Sequence, residues 1–212
     1  MNYRTRSREP KHIDLHIVDA LEEKWAWRGL SESAALRYRL RKTRIKIVSH
    51  YCWDVPSLQA VIQDIISHRS CYAYPRRCVP YLHIASHGSV DGLALGDSKP
   101  LPWTVLSKCL LPLQRRIDFT LPISLSSCWG FYGYKLSSES MKEYEKKQAF
   151  HSLVGPRGKL CTAELFDSFA EFYRCLLHRF TSPPEAIARA NRSIKDKASY
   201  LEFVPGERYT SN

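Results

Sequence analysis

The chain has 212 residues, 44% of them hydrophobic, with a formal net charge of +11 and seven cysteines. That suffices to bury one sizeable core, with no composition shift to divide it, and no apolar run approaches a membrane span. The start, MNYRTRSREPKH, is basic with no apolar stretch behind it, so a secretory signal is not expected, and scattered, odd-numbered cysteines fit reduced thiols in a cytoplasmic setting.

Residues 1–43 read as a basic, helical N-terminal extension. Leu15, Val18, Leu21 and Trp25 recur at near-helical spacing, and Ser31 is placed to cap a second helix that includes Tyr38 and Leu40. Positive charge concentrates in YRTRSREPK, RYRLRKTRIK and YPRR. Such clusters can hold phosphates or steer a regulatory protein or other acidic partner. No RNA-binding signature or aromatic–basic repeat accompanies them, so nucleic acid is the less favoured partner and a solvated basic helix face the plainest reading.

From Arg44 the pattern changes. RIKIVSHYCW has strand chemistry, and Asp54 with Pro56 opens a helix striped by Leu58, Val61, Ile62, Ile65 and Ile66. YLHIAS is a second strand, GLALGD a short extended piece, and Pro102 to Arg116 a helix whose stripe includes Val105, Leu106, Cys109 and Leu113. LPISLSS is the next strand. Lys135 to Gln148 offers no core face and reads as an exposed loop before the strand FHSLVG. Leu165, Phe169, Phe172, Tyr173, Leu176 and Phe180 form one face of a helix; Ser182, Pro183 and Glu185 then supply cap, first-turn proline and capping-box acid for another, and YLEFVP is a final strand. Strands alternating with helices predict an α/β domain over 44–212, with a mostly parallel sheet covered by helices on both faces.

In such sheets ligands bind beyond the carboxyl ends of the strands, where this chain carries His87 and Cys128. A nucleophilic cysteine needs an imidazole to take its proton and later return one to a leaving amine. Neighbouring strands would bring the two residues within reach across the 41 positions that separate them. Gly88, free of a side chain, lets its backbone N–H approach a carbonyl oxygen, and with the N–H of Cys128 it makes a candidate oxyanion hole.

The pair HIASHG and SLSSCWG resembles the His-Gly and Ser-Cys-x-Gly motifs of the caspase-like cysteine peptidases, the clan of caspases, metacaspases, separases and bacterial CHAT domains. LVGPRGKLCTAELFDSFAEFYRCLLHRFTSPPEAIARAN resembles the CHAT pattern further, and together the matches run from Arg44 to Phe203. The resemblance implies a caspase–haemoglobinase-like three-layer sandwich, hydrolysis of protein substrates by a Cys128–His87 dyad, and a prokaryotic defence or regulated cell-death setting. Ser126 falls where caspases carry glutamine and metacaspases an aspartate lining the S1 pocket. The alternative is an inactive caspase-like module that binds nucleic acid or an acidic protein. Asp91 and Asp97 are the nearest acids to His87 in sequence for selecting a basic P1 residue, against the simpler reading of solvated turn residues. No cofactor or metal is expected. His68, Cys71, Cys78 and His83 lack zinc-chelating spacing, and no P-loop, dinucleotide or G-x-S-x-G pattern occurs.

Overall fold

Six strands form the main sheet of the protein, with every neighbouring pair parallel except the last at one edge. The structure, a computed structural model, describes residues 13–20, 31–67, 80–96, 99–117, 121–136, 150–195 and 199–205. The strands are β1 (Ile13–Asp19), β2 (Ile45–Tyr51), β3 (Tyr81–Ala85), β7 (Pro122–Ser126), β8 (Ser152–Pro156) and β9 (Leu201–Pro205), in the spatial order β2-β1-β3-β7-β8-β9. The helices are α1 (Glu32–Leu40), α2 (Val55–Ser67), α3 (Trp103–Arg116), α4 (Thr162–Tyr173) and α5 (Pro183–Ala190). Three short strands, β4 (His87–Ser89), β5 (Gly92–Ala94) and β6 (Leu101–Pro102), make a separate antiparallel sheet.

The helices divide between the two faces of the main sheet. On one, Leu58, Ile62 and Ile65 of α2 and Leu106, Leu110 and Leu113 of α3 pack against Val18, Leu82, Ile84, Ile123 and Leu125. On the other, α1, α4 and α5 bury Leu36, Phe169, Phe172 and Ala186 against Leu15, Ile17, Val154 and Leu201. Successive strand side chains point to opposite faces, so a strand between two helical layers must bury both sets. Each fully buried Leu or Ile contributes about 1.5–3 kcal/mol relative to exposure. An α/β fold with a mostly parallel sheet and helices on both faces is therefore present. Among the described residues no helix is long and apolar enough to cross a membrane.

The segment read as a helical extension is corrected at 13–19. It is a strand, and it lies inside the sheet between β2 and β3, so the chain before Arg44 shares the core of the later part. The alternation of Leu15 and Ile17 with His16 and Val18 is of period two, and the polar residues in it are buried beside their partners. His16 Nδ1 lies 3.1 Å from Nε2 of His50 on β2, with the rings stacked. Asp19 receives the start of α1: its carboxylate accepts from the Ser31 hydroxyl at 2.7 Å and from the Glu32 and Ser33 amides at 3.0 and 3.3 Å. Ser31 caps α1 as expected, accepting from the Ala34 amide.

Beneath the sheet, His83 of β3 is wholly buried, with Nε2 3.0 Å from Glu32 and Nδ1 2.8 Å from the Tyr173 hydroxyl. Burial pushes the Tyr173 phenol well above its ordinary range.

Two further expectations are corrected. Phe180 does not extend the face of α4: after a π-helical turn over Arg174–His178 the chain turns at a positive φ of 55°, leaving its ring half exposed. Ser182 stands at the N-cap of α5 without a side-chain cap bond, and Glu185 pairs with Arg189 one turn on instead of closing a capping box. The reciprocal box occurs at α4, where the Glu164 side chain accepts from the Cys161 amide.

Removing one partner from the Glu32–His83–Tyr173 chain strands a buried polar group. Glu32→Ala should therefore lower the unfolding free energy by about 1–3 kcal/mol, with a smaller loss for Tyr173→Phe. Urea unfolding of the two variants measures this, and an unchanged midpoint for Glu32→Ala would contradict it.

Candidate active site

β3 and β7 end side by side. Ala85 is in register with Ser126, and the Ser86 amide extends the ladder by donating to the Ser126 carbonyl at 3.1 Å. Beyond that point β3 gives way to the small sheet, beginning at His87, and β7 gives way to the turn Ser127–Cys128–Trp129. The short chain from Ser86 to Gly88 crosses that turn. A Cβ placed on Gly88 would lie 2.4 Å from the Cys128 carbonyl oxygen and 2.7 Å from Ser127 Oγ. Only a residue without a side chain allows this approach. The structure thus brings together Gly88, Ser127 and the backbone of Cys128, with His87 adjoining; the His87 side chain is exposed and Cys128 is partly exposed.

The turn is held from several sides. Trp129 has a φ of 63°, a conformation that a bulky residue rarely adopts and that costs about 1–3 kcal/mol. Its amide donates to the Gly158 carbonyl at 3.1 Å, its carbonyl accepts from the Tyr132 amide at 2.9 Å, and its ring meets Tyr132 edge-on. The Gly130 amide donates back to the Ser127 carbonyl at 3.0 Å. A 3-10 turn over Gly130–Tyr134 then packs directly on β8, for a Cβ on Gly155 would stand 2.4 Å from the Gly130 carbonyl carbon. Of the consecutive amides at 128, 129 and 130, the second and third are thereby committed to protein carbonyls.

Ser126, the residue expected to line a specificity pocket, is buried, as is Ser127, and neither hydroxyl has a hydrogen-bond partner among the described residues. Asp91 lies at the tip of the β4–β5 hairpin with its side chain 85% exposed and Lys135 Nζ at 3.9 Å. Its carbonyl accepts from the Trp103 amide at 3.3 Å. That is a solvated turn aspartate already beside a cation, not a residue enclosed with Cys128. Asp97, His68, Cys71 and Cys78 lie outside the described residues, as does most of the expected loop after Leu136; Leu136 itself is buried. Among the described residues no group of three His, Cys, Asp or Glu side chains is placed to hold a metal.

Gly155 and the Gly158 carbonyl support this turn, and only the first has a signal in the sequence. A glycine inside the strand pattern SLVGP is the signal, since it marks a close backbone approach.

Cys52, Cys109, Cys128, Cys161 and Cys175 are all free thiols. Burial pushes Cys52 up to about 12, with Asp54 and Asp19 adding to the shift, and burial likewise raises Cys109 and Cys175. Raising a thiol's pKa lowers its thiolate fraction near neutrality, and the thiolate is the reactive form.

No protein-family model matches the chain, and no curated protein is significantly similar to it.

Two measurements follow. At pH 8 an alkylating reagent should reach Cys128 and Cys161 in the folded protein while sparing Cys52, Cys109 and Cys175, as peptide mapping would show; labelling of Cys52 at the rate of Cys161 would contradict this. Gly88→Ala should cost about 1–3 kcal/mol in stability through overpacking on the Cys128 carbonyl and change the Cys128 labelling rate. An unchanged rate and midpoint would mean that the backbone at Gly88 does not approach the Cys128 carbonyl this closely.

Proposed function

We propose that the chain is a caspase-like cysteine endopeptidase in which Cys128 is the nucleophile and His87 the general base and acid. The observation that carries this reading is the seating of Gly88 against the Cys128 carbonyl, which sets the His-Gly and Ser-Cys segments side by side at the carboxyl edge of a parallel sheet. A sheet order with β1 inserted between β2 and β3 and an antiparallel last strand accommodates the caspase-like resemblance of the sequence without requiring it.

The chemistry would proceed in two stages. His87 accepts the Cys128 thiol proton, the thiolate attacks the scissile carbonyl carbon, and the carbonyl oxygen takes up the negative charge. The Cys128 amide, with that of Gly88, is the candidate donor to this oxyanion, because the Trp129 and Gly130 amides are already bonded elsewhere. Protonation of the amine by His87 releases the first product and leaves a thioester on Cys128. His87 then deprotonates a water that attacks the thioester, and the acid product leaves as the thiol is restored. With Ser126 neutral and Asp91 paired with Lys135 at the hairpin tip, a small or apolar P1 residue fits better than a charged one.

Because nucleophile and base act as a unit, Cys128→Ala and His87→Ala should each lower turnover by several orders of magnitude, and the double variant should lose little more than either single one. A peptide-library cleavage profile of the purified full chain and its variants reads both this and the P1 preference. Cleavage retained by Cys128→Ala would overturn the reading, as would wild-type protein that cleaves nothing and whose Cys128 labels no faster than exposed Cys161.

A further inference from the structure

The end of the sheet opposite the candidate active site carries a basic groove. α1 runs back from the carboxyl end of β1, and its last turn leads through Arg41 and Thr43 into β2, so the part of the groove between 38–43 and 174–179 lies toward the amino ends of the parallel strands, and the rest follows the outer side of α4. One cavity of about 530 Å³ is lined by Tyr38, Arg39, Arg41, Lys42, Arg174 and Arg179, among others. A second, of about 470 Å³, shares Arg39 and Arg174 with it and adds Arg189 and Arg192. Among the described residues the only carboxylates lining either are Asp167 and Glu171.

Local needs do not account for this much charge. Asp167 pairs with Arg39 at 2.7 Å, and Glu171 serves both Arg174 and Arg179. The carboxyl ends of α1 and α4 supply about half an electron charge each. Arg41, Lys42 and Arg192 form no ion pair with any described residue, so the groove holds a positive surplus facing solvent.

The kind of cation and its aromatic neighbours narrow the ligand. Arginine outnumbers lysine among the lining residues, and its planar fork matches phosphate oxygens two at a time. Tyr38 is 65% exposed, with the Arg41 guanidinium 4.0 Å from its ring centroid, a flat surface of the kind on which a base stacks. Protein partners anchor through apolar side chains seated in desolvated pockets, and among the described residues the linings offer no apolar side chain other than Ala170 and the Tyr38 ring.

We propose that this groove binds single-stranded nucleic acid, its arginines holding successive phosphates and Tyr38 stacking on a base. The site is separate from Cys128 and His87 and does not depend on them.

Fluorescence anisotropy of labelled oligothymidylate and oligouridylate with the full-length chain tests this. The affinity should fall with rising salt in proportion to the phosphates neutralised. Arg41→Glu combined with Lys42→Glu should weaken binding by at least about ten-fold and flatten the salt dependence, and Arg192→Glu should act in the same direction. Tyr38→Ala should weaken binding by about five-fold or more while leaving the salt slope unchanged, with Tyr38→Phe binding as the wild type. Thermal melts check that each variant is folded; the substituted cations form no ion pair among the described residues, so folding should persist. Cys128→Ala should bind as tightly as the wild type. Retained affinity in the Arg41/Lys42 double variant would overturn the proposal, as would polyglutamate competing as well as the oligonucleotide at equal charge.

Discussion

Everything at the candidate site depends on β3 and β7 being hydrogen-bonded neighbours with Ala85 opposite Ser126. Two residues 41 positions apart reach the same end of the sheet because parallel strands must be joined by a crossover, here running through the small sheet and α3. Once the ladder is fixed, the space above it is fixed too. The chain leaving β3 passes over the chain leaving β7 at a distance that excludes any side chain at 88. A second glycine contact, Gly155 on Gly130, presses the turn from the β8 side. The Trp129 conformation is then imposed rather than chosen: its amide and carbonyl are both bonded, and the local backbone cost of about 1–3 kcal/mol is small beside the packing that enforces it.

The parts of this arrangement that were legible in the sequence are those whose polarity matches their burial. PISLS and YLHIA announce buried strands, and the stripe from Leu58 to Ile65 after Asp54 and Pro56 announces α2. His87 and Cys128 stand out because each closes such a run among small residues, with a glycine at the next position or the one after it. β1 was hidden by the opposite circumstance. Asp14, His16 and Asp19 interrupt its apolar residues and suggest an exposed segment, yet all three are buried, because a strand flanked on both edges and covered on both faces has nowhere to expose them. The partners of His16 and Asp19, His50 of β2 and the first amides of α1, belong to segments that no local window connects to them. The end of α4 was misread for a related reason. Phe180 continues the helical spacing, but the π-turn shifts its phase and carries it off the face.

The basic character of RYRLRKTRIK was equally plain, but its geometry was not. Arg39 meets Asp167 across 128 positions, and Arg174 donates to the Arg39 carbonyl across 135. A charge count sees a solvated helix face; the packing of α1 against α4 turns it into one wall of a groove whose other wall is arginine from the far end of the chain.

A parallel sheet has two unlike ends, and α1 spans the distance between them. Its amino end is gripped by Asp19 at the carboxyl edge of β1, and its first residue, Glu32, reaches under the sheet to His83, four positions before His87. Its carboxyl end supplies Tyr38 and Arg39 to the basic groove. Nine helical residues extend about 13 Å, a span with little give, so the cap that seats the helix also sets where its basic end can lie. This makes the buried polar network more than a local satisfaction of hydrogen bonds. An apolar replacement of Glu32 and His83 together would keep the layer packed, but it would remove the directional contacts that fix the height of α1 against β3. The groove at one end and the base of the His87 segment at the other share that reference point.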